Sequence, residues 1–338
     1  MIKEAIAALV EGHNLSAADA ETVMRQIMDG EASQAQIGAF LTALRIKGET
    51  IDEIAGCARA MRSLAVPVRP KRTDLVDTCG TGGDRSGTFN ISTTAAFVVA
   101  GARLGVAKHG NRSVSSQSGS ADVLEALGAN ISLSPEQVGR CIDEVGIGFM
   151  FAPSHHAAMK HAAPVRRELG VRTLFNILGP LTNPANAPQQ VMGVFHPDLV
   201  GIQVRVLQRL GSQRALTVFG REGLDEISIS GRTLVGELKD GRVSEYEVHP
   251  EQFNLPVHDP RVLRVGSVEE SKAMLLGALD NKLGAARDIV ALNAGASIYV
   301  CGLAETLADG VDKAFETIAS GAARAKVEQF VAATKGFA

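Results

Sequence analysis

Apolar residues in the first 65 positions recur at helical spacing, with Ile37, Phe40, Leu41 and Leu44 on one face of a 3.6-residue repeat. Start signals punctuate this pattern. Ser33-x-x-Gln36 and Thr50-x-x-Glu53 have the form of capping boxes, and Ser16-x-x-Asp19 is a weaker version. In each, the first side chain accepts from a backbone N–H that the helix leaves unpaired. Gly30 and Gly48 stand where the preceding helices are expected to stop in a left-handed turn. The signals predict a small helical unit over residues 1–66. Val66-Pro67-Val68-Arg69-Pro70 then breaks the period and reads as a linker.

Strand-like and helix-like pieces alternate from there on. Leu75-Val76-Asp77 predicts a short buried strand, 92–104 a helix, Val106-Ala107 a second strand and 120–127 a helix. Ser134-Pro135-x-Gln137 opens another helix with a capping box and a proline in its first turn. Residues 147–151, 191–195 and 215–219 are further apolar strand candidates. Such alternation predicts an α/β sheet flanked by helices. Around Asp240-Gly241 the period changes, and 233–238 with 242–248 reads as a hairpin on a two-residue turn. Helical patterns run from Ser267 to the end, and no repeat or low-complexity tract is present.

The length of 338 residues fits two domains, or one large α/β domain with an appendage. With 34 Lys and Arg against 37 Asp and Glu, the net charge is −3, which argues against bulk nucleic-acid binding. Twelve Phe, two Tyr and no Trp leave little material for stacking bases. Cys57, Cys79, Cys141 and Cys301 are widely spaced, without a C-x-x-C, and point to a reducing compartment, with the cytoplasm as the expected location. The start lacks an apolar signal core and no 18-residue apolar stretch occurs, so no membrane association is expected.

Three loops carry the candidate chemistry. Gly80-Thr81-Gly82-Gly83-Asp84 follows the first strand, and glycines there let backbone N–H groups approach a phosphate. The helix start at Asn90-Ile91-Ser92-Thr93 adds its own donors and the positive end of its dipole. Arg85 stands where a dinucleotide fingerprint needs glycine, and no G-x-x-x-x-G-K-[ST] occurs, so neither common phosphate loop applies. The second loop, Lys108-His109-Gly110-Asn111-Arg112-Ser113 through Ser120 to Asp122, combines two cations with several hydroxyls, suited to several phosphate oxygens at once. The third, Gly223-Leu224-Asp225-Glu226, holds adjacent carboxylates. About four such pairs are expected by chance in this composition, and four occur, so placement in a loop is what matters. There both acids can reach hydrated Mg²⁺, which takes one or two carboxylates plus substrate phosphates.

These motifs, with Pro164-Val165-Arg166-Arg167-Glu168-Leu169-Gly170 and Phe175-Asn176-x-Leu178-Gly179-Pro180-Leu181-x-Asn183-Pro184, resemble the anthranilate phosphoribosyltransferase family, in order and over essentially the whole chain. Gln117 stands where lysine is frequent in that family, and Ala157 where proline is frequent. The resemblance implies transfer of the phosphoribosyl group of phosphoribosyl pyrophosphate (PRPP) to the amine of anthranilate, releasing pyrophosphate, an early step of tryptophan biosynthesis. It implies an α/β fold: a small N-terminal helical domain, completed by about 165–185, against a large domain of 67–164 and 186–338 with a central mixed sheet flanked by helices. It further implies a homodimer joined through the helical domain.

Carried over residue by residue, Gly80, Gly83, Asp84, Thr88, Asn90, Ile91, Ser92 and Thr93 line the PRPP site. Lys108, His109, Gly110, Asn111, Arg112, Ser113, Val114, Ser115, Ser116 and Ser120 complete it. Ser92, Asp225 and Glu226 match positions that hold two Mg²⁺ ions, while Gly80, Asn111 and Arg166 match those that contact anthranilate. No covalent or acid–base residue is assigned; His109 is a candidate proton relay or a structural hydrogen bonder. His155, His156 and His161 lack an H-E-x-x-H pattern and read as support for the acceptor channel rather than a zinc site. Two other readings stand beside this one: an enzyme like the pyrimidine nucleoside phosphorylases, and a noncatalytic nucleic-acid-binding relative.

Overall fold

A computed structural model describes residues 1–113 and 118–337. The helical unit consists of α1 (Ile2–Val10), α2 (Ala17–Met28), α3 (Gln34–Lys47) and α4 (Ile51–Leu64). Both capping boxes form, and Ser16 accepts from the N–H of Asp19; each such cap contributes about 1 kcal/mol. Gly30 takes the expected positive φ of 79°. Gly48 differs: its φ of 88° is paired with ψ of 124°, so the chain leaves α3 extended instead of in a left-handed turn. Glu53 explains the sharp exit. It is buried, it accepts from the Leu15 N–H at 2.9 Å, and it pairs with Lys47 Nζ at 3.0 Å, which fastens the ends of three helices to one carboxylate.

The large unit is a seven-stranded sheet of β1 (Leu75–Gly80), β2 (Gly105–Gly110), β3 (Ile147–Phe151), β4 (Gln189–Gly193), β5 (Arg214–Gly220), β6 (Thr233–Lys239) and β7 (Arg242–Val248). Its order is β3-β2-β1-β4-β5-β6-β7, with the first five strands parallel and the last two antiparallel, a mixed sheet. The hairpin turns on Asp240 and Gly241, both with positive φ.

Two strands are longer than the apolar runs predict. The first continues to Gly80, and the second to Gly110, so Lys108 and His109 are ladder residues and not part of a loop. Both are buried. A parallel strand covered on both faces is read from a continuous apolar run, and a buried polar residue ends that run early. The following helix, α5 (Ile91–Gly101), begins at Ile91 and stops short of 104, where Arg103 takes φ of 69°.

Two large apolar clusters hold the molecule. One packs α5 and the C-terminal helices Ala285–Val300, Leu307–Ala319 and Ala322–Gly336 against one face of the sheet. The other joins α1–α4 to Ala162, Val165, Leu174, Phe175, Leu178 and Leu181 of the returning segment. That same cluster runs on into Met192 and Val194 at β4 and into Val200, Val204 and Leu207 of the helix Asp198–Arg209.

Candidate active site

The chain places β2 and β3 on one side of β1 and then returns to place β4 on the other. The carboxyl ends of β1 and β4 therefore flank a topological switch point, where open α/β sheets bind ligands. The glycine loop emerges there. Thr81 donates its N–H to Gly193 O at 2.9 Å, and Thr81 Oγ1 accepts from the Phe195 N–H at 3.1 Å. Gly82 donates its N–H to Asp225 Oδ2 at 2.9 Å. Space explains the glycine at the end of β4: a Cβ on Gly193 would lie 1.5 Å from the Asp225 carbonyl oxygen. Only a bare backbone lets the acidic loop cross the strand tips.

Asp84 Oδ1 accepts from the Ser86 N–H at 3.2 Å, while its Oδ2 is buried without a partner among the described residues. Thr88 lies beside Ser86 and bridges backbone to Arg264. Asn90 precedes α5 but makes no side-chain cap. Its amide instead brackets the two loops: Oδ1 accepts from Ser118 Oγ at 2.8 Å and from Ser271 Oγ at 2.7 Å, and Nδ2 donates to Ser118 O at 3.1 Å. Ile91 and Thr93 are buried. Ser92 donates its N–H to Glu226 Oε1 at 3.2 Å and faces Lys108 Nζ at 3.4 Å.

Lys108 also donates to Thr78 O, so it ties β2 to β1 and to the start of α5. Burial holds its ammonium below the usual lysine range, with Asp77 and Glu226 pulling the other way. Asp77 anchors the strand beneath. It accepts from the His109 N–H at 3.2 Å and from Asn183 Nδ2 at 2.8 Å, and burial lifts its carboxyl to about 6. The glycine loop and the Lys108–Ser113 stretch thus share the carboxyl ends of the neighbouring strands β1 and β2. At the tip of β2, Gly110 leads to Asn111, whose carbonyl accepts from Ser120 Oγ at 3.2 Å. Arg112 pairs with Asp122 and Glu125, and Ser113 donates its N–H to Asp122 Oδ2. Val114, Ser115 and Ser116 lie outside the described residues.

The acidic loop faces both phosphate-loop candidates. Burial, then the nearby Asp84, lifts Asp225 to about 7; burial and Asp225 push Glu226 well above the carboxylate range. Among the described residues no three His, Cys, Asp or Glu side chains form a ready metal cage. The donor set nevertheless fits Mg²⁺. It offers hard oxygens that repel one another, an orphaned Asp84 Oδ2 and the Ser92 hydroxyl, with coordination positions left for substrate phosphates and water.

Arg166 lies on the helix Ala163–Leu169, and its guanidinium sits 5.2 Å from the Phe175 ring centroid. Among the described residues it has no carboxylate or carbonyl partner in hydrogen-bond range, and burial lowers its pKa. Arg167 is exposed. The rings of His109 and His156 stand 5.1 Å apart, and both Nε2 atoms are buried without a partner among the described residues. Burial, then the charges of His156 and His155, lowers His109 to about 3; burial, then His155, lowers His156 to about 4. His155 Nδ1 bonds Val66 O at 2.9 Å, and His161 packs on Gly30.

Three residues of the site escape the motif reading. Asp77 had a signal, a carboxylate inside an apolar run. Ser271 and Arg172 had none, since each reaches the site from a distant segment: Ser271 to Asn90, and Arg172 to the carbonyl of Gly83.

Comparison with known proteins supplies the rest. Residues 3–65 match the glycosyl transferase family helical bundle domain, and residues 72–324 match the a/b domain of the same family. The chain is 64% identical over 318 residues to the anthranilate phosphoribosyltransferase of Dechloromonas aromatica (strain RCB), covering 94% of each chain. It superposes with TM-score 0.93 on the enzyme of that name from Thermus thermophilus, at 44% identity, over 98% of this chain and 99% of the other. The Saccharomyces cerevisiae anthranilate phosphoribosyltransferase, solved in complex with PRPP and Mg, superposes with TM-score 0.89 at 26% identity, over 99% and 98% of the two chains. These relatives favour the transferase reading over the nucleoside phosphorylase and nucleic-acid-binding ones. The chain belongs to the anthranilate phosphoribosyltransferase family.

Proposed function

We propose that the cleft at the β1–β4 switch point carries out the family's reaction, in which PRPP and anthranilate give N-(5-phosphoribosyl)anthranilate and pyrophosphate, within tryptophan biosynthesis. One observation carries this assignment to the cleft: the glycine loop, the start of α5, Lys108 and the Asp225–Glu226 pair converge at the carboxyl ends of the strands through direct hydrogen bonds.

The chemistry makes few covalent demands on the protein. The bond from ribose C1 to the pyrophosphate oxygen breaks with its electron pair on the pyrophosphate, a bond from C1 to the anthranilate nitrogen forms, and the amine gives up a proton to the departing pyrophosphate or to water. Positive charge develops on the sugar ring and negative charge on the departing group, as in other glycosyl transfers. Backbone donors of the glycine loop and the α5 start hold the phosphates, and Lys108 keeps those two elements in register. Asp225, Glu226 and the Ser92 hydroxyl are the groups that would hold two Mg²⁺ ions. Bound Mg²⁺ supplies neutralisation of the leaving pyrophosphate. Arg166, a half-buried fork with no acid partner among the described residues, takes the anthranilate carboxylate, and the family pattern assigns Asn111 and Gly80 to the same substrate. His109, which burial keeps neutral, lines the wall of the site beside His156.

The returning segment around 165–185 completes the helical domain, a division supported by the cluster that packs Val165, Phe175 and Leu178 onto α1–α4. Exposed Val10 and Ile46, at the ends of α1 and α3, support a homodimer through this domain. Four free cysteines support a reducing, cytoplasmic setting. No described helix is long and apolar enough to cross a membrane.

The test is direct. Purified protein mixed with anthranilate, PRPP and Mg²⁺ should quench anthranilate fluorescence, and omission of either PRPP or Mg²⁺ should abolish the decay. Persistent fluorescence in the complete mixture sinks the proposal.

A further inference from the structure

We propose that Arg172 is a positioning residue for this reaction: it fixes the backbone of the glycine loop and ties that loop to the segment that carries Arg166. The inference rests on the functional reading above and adds a residue to it.

Arg172 lies between the helix Ala163–Leu169 and the short helix Phe175–Leu178. Its Nη2 donates to the carbonyl of Gly83, and its guanidinium lies 4.0 Å from the Phe195 ring centroid. Phe195 donates its own N–H to Thr81 Oγ1, and Thr81 donates its N–H to Gly193 O. The contacts close a ring that runs from the returning segment to the glycine loop, to the tip of β4 and back. Among the described residues Arg172 has no carboxylate partner, so its charge beside the loop is not neutralised by them.

The loop needs such a hold. Gly82 and Gly83 take φ of 64° and 74° in succession, and neither has a side chain to fix the turn. Because the peptide is planar and trans, a Gly83 carbonyl directed at Arg172 turns the Asp84 N–H the opposite way. Asp84 is the acid whose Oδ2 is left without a partner and whose charge raises Asp225. Holding one carbonyl therefore orients both a backbone donor and an acid of the site. Guanidinium suits the task, since it stacks on a ring with its face while donating in its plane; an ammonium has no face to stack.

The test compares Arg172→Ala, Arg172→Lys and Phe195→Leu with the wild-type protein. Arg172→Ala should raise the KM for PRPP about tenfold while kcat falls by less than about threefold and the melting temperature moves by under about 3 °C. Arg172→Lys should recover less than half of that loss. Calorimetric titration of Mg²⁺ and pyrophosphate, which cannot turn over, reads the link between segments. Anthranilate should tighten this binding about threefold in the wild type and leave it unchanged in Arg172→Ala. An unchanged KM, a loss confined to kcat and stability, or equal tightening in both proteins overturns the role of Arg172. If the alanine variant fails to fold, Phe195→Leu reads the same ring from its other side, and an unaltered KM there overturns it too. Wild-type protein that binds no PRPP overturns the functional reading and this inference together.

Discussion

Gly82 donates its backbone N–H to Asp225 Oδ2 at 2.9 Å, so a donor of the glycine loop is already engaged by one of the protein's own acids. That acid, held near 7 by burial and by Asp84, is stable as a neutral group and strained as an ion. Its folded pKa lies above the unfolded value, so the stability it contributes is present below about pH 4 and is lost as pH rises toward 7. Ligand-free Asp225→Asn should therefore melt higher than the wild type at pH 8, by at least about 1 kcal/mol, with little difference at pH 4. A lower melting temperature for the variant at pH 8 would contradict this.

The same acids should be indispensable to turnover. Asp225→Asn combined with Glu226→Gln should abolish Mg²⁺-dependent fluorescence loss, while circular dichroism shows an intact fold. Retained activity in the double variant would remove both residues from the metal site.

Arg166 is a half-buried cation with an aromatic neighbour and, among the described residues, no acid. A charge-assisted bond to the anthranilate carboxylate contributes about 1.5–3 kcal/mol. Arg166→Ala should accordingly raise the KM for anthranilate roughly 10- to 100-fold, with a much smaller effect on PRPP. Equal effects on the two substrates would detach Arg166 from the carboxylate.

Acid should destabilise the histidine wall. His109 and His156 face one another, with His155, Lys108 and Asp77 also close to them, and both imidazoles are held far below 6.5. Below about pH 6.5 the unfolded chain takes up protons that the folded state refuses, so stability falls as pH drops toward 4; Asp77, raised to about 6, acts in the opposite direction over that window. Replacing one imidazole isolates its share. Between pH 7.5 and pH 5, His156→Gln should lose about 2 kcal/mol less than the wild type. Denaturant melts at the two pH values measure the difference, and parallel losses would refute it.

Ile46 is 82% exposed at the end of α3 and Val10 is 73% exposed at the end of α1. If these faces join two copies, Val10→Lys with Ile46→Lys should shift sedimentation from dimer to monomer without lowering helix content. A dimer that survives both charges would place the contact elsewhere.

The helical unit was legible because its start signals are local: Ser33 and Gln36, or Thr50 and Glu53, find each other within one turn. Strand cores at 147–151 and the Asp240-Gly241 hairpin were legible for the same reason. The exit of α3 at Gly48 was not, because a buried Glu53 decides it. Nor was the extent of β1 and β2, whose polar residues are buried by partners remote in sequence. Motifs located the glycine loop and the acidic pair. They also point to Asn90, but give no sign that its amide bridges Ser118 and Ser271. A side chain that works by holding two distant segments leaves no spacing to read.

The apolar cluster shared by α1–α4, the returning segment and the helix Asp198–Arg209 has a consequence for engineering. Severing the chain near Val66 would strip the helix Asp198–Arg209, with its buried Val200, Val204 and Leu207, of the α4 face packed against it. Neither fragment would survive as a module for transplantation, and chimeras that exchange the N-terminal helices between relatives must carry the matching face of Asp198–Arg209 along with them.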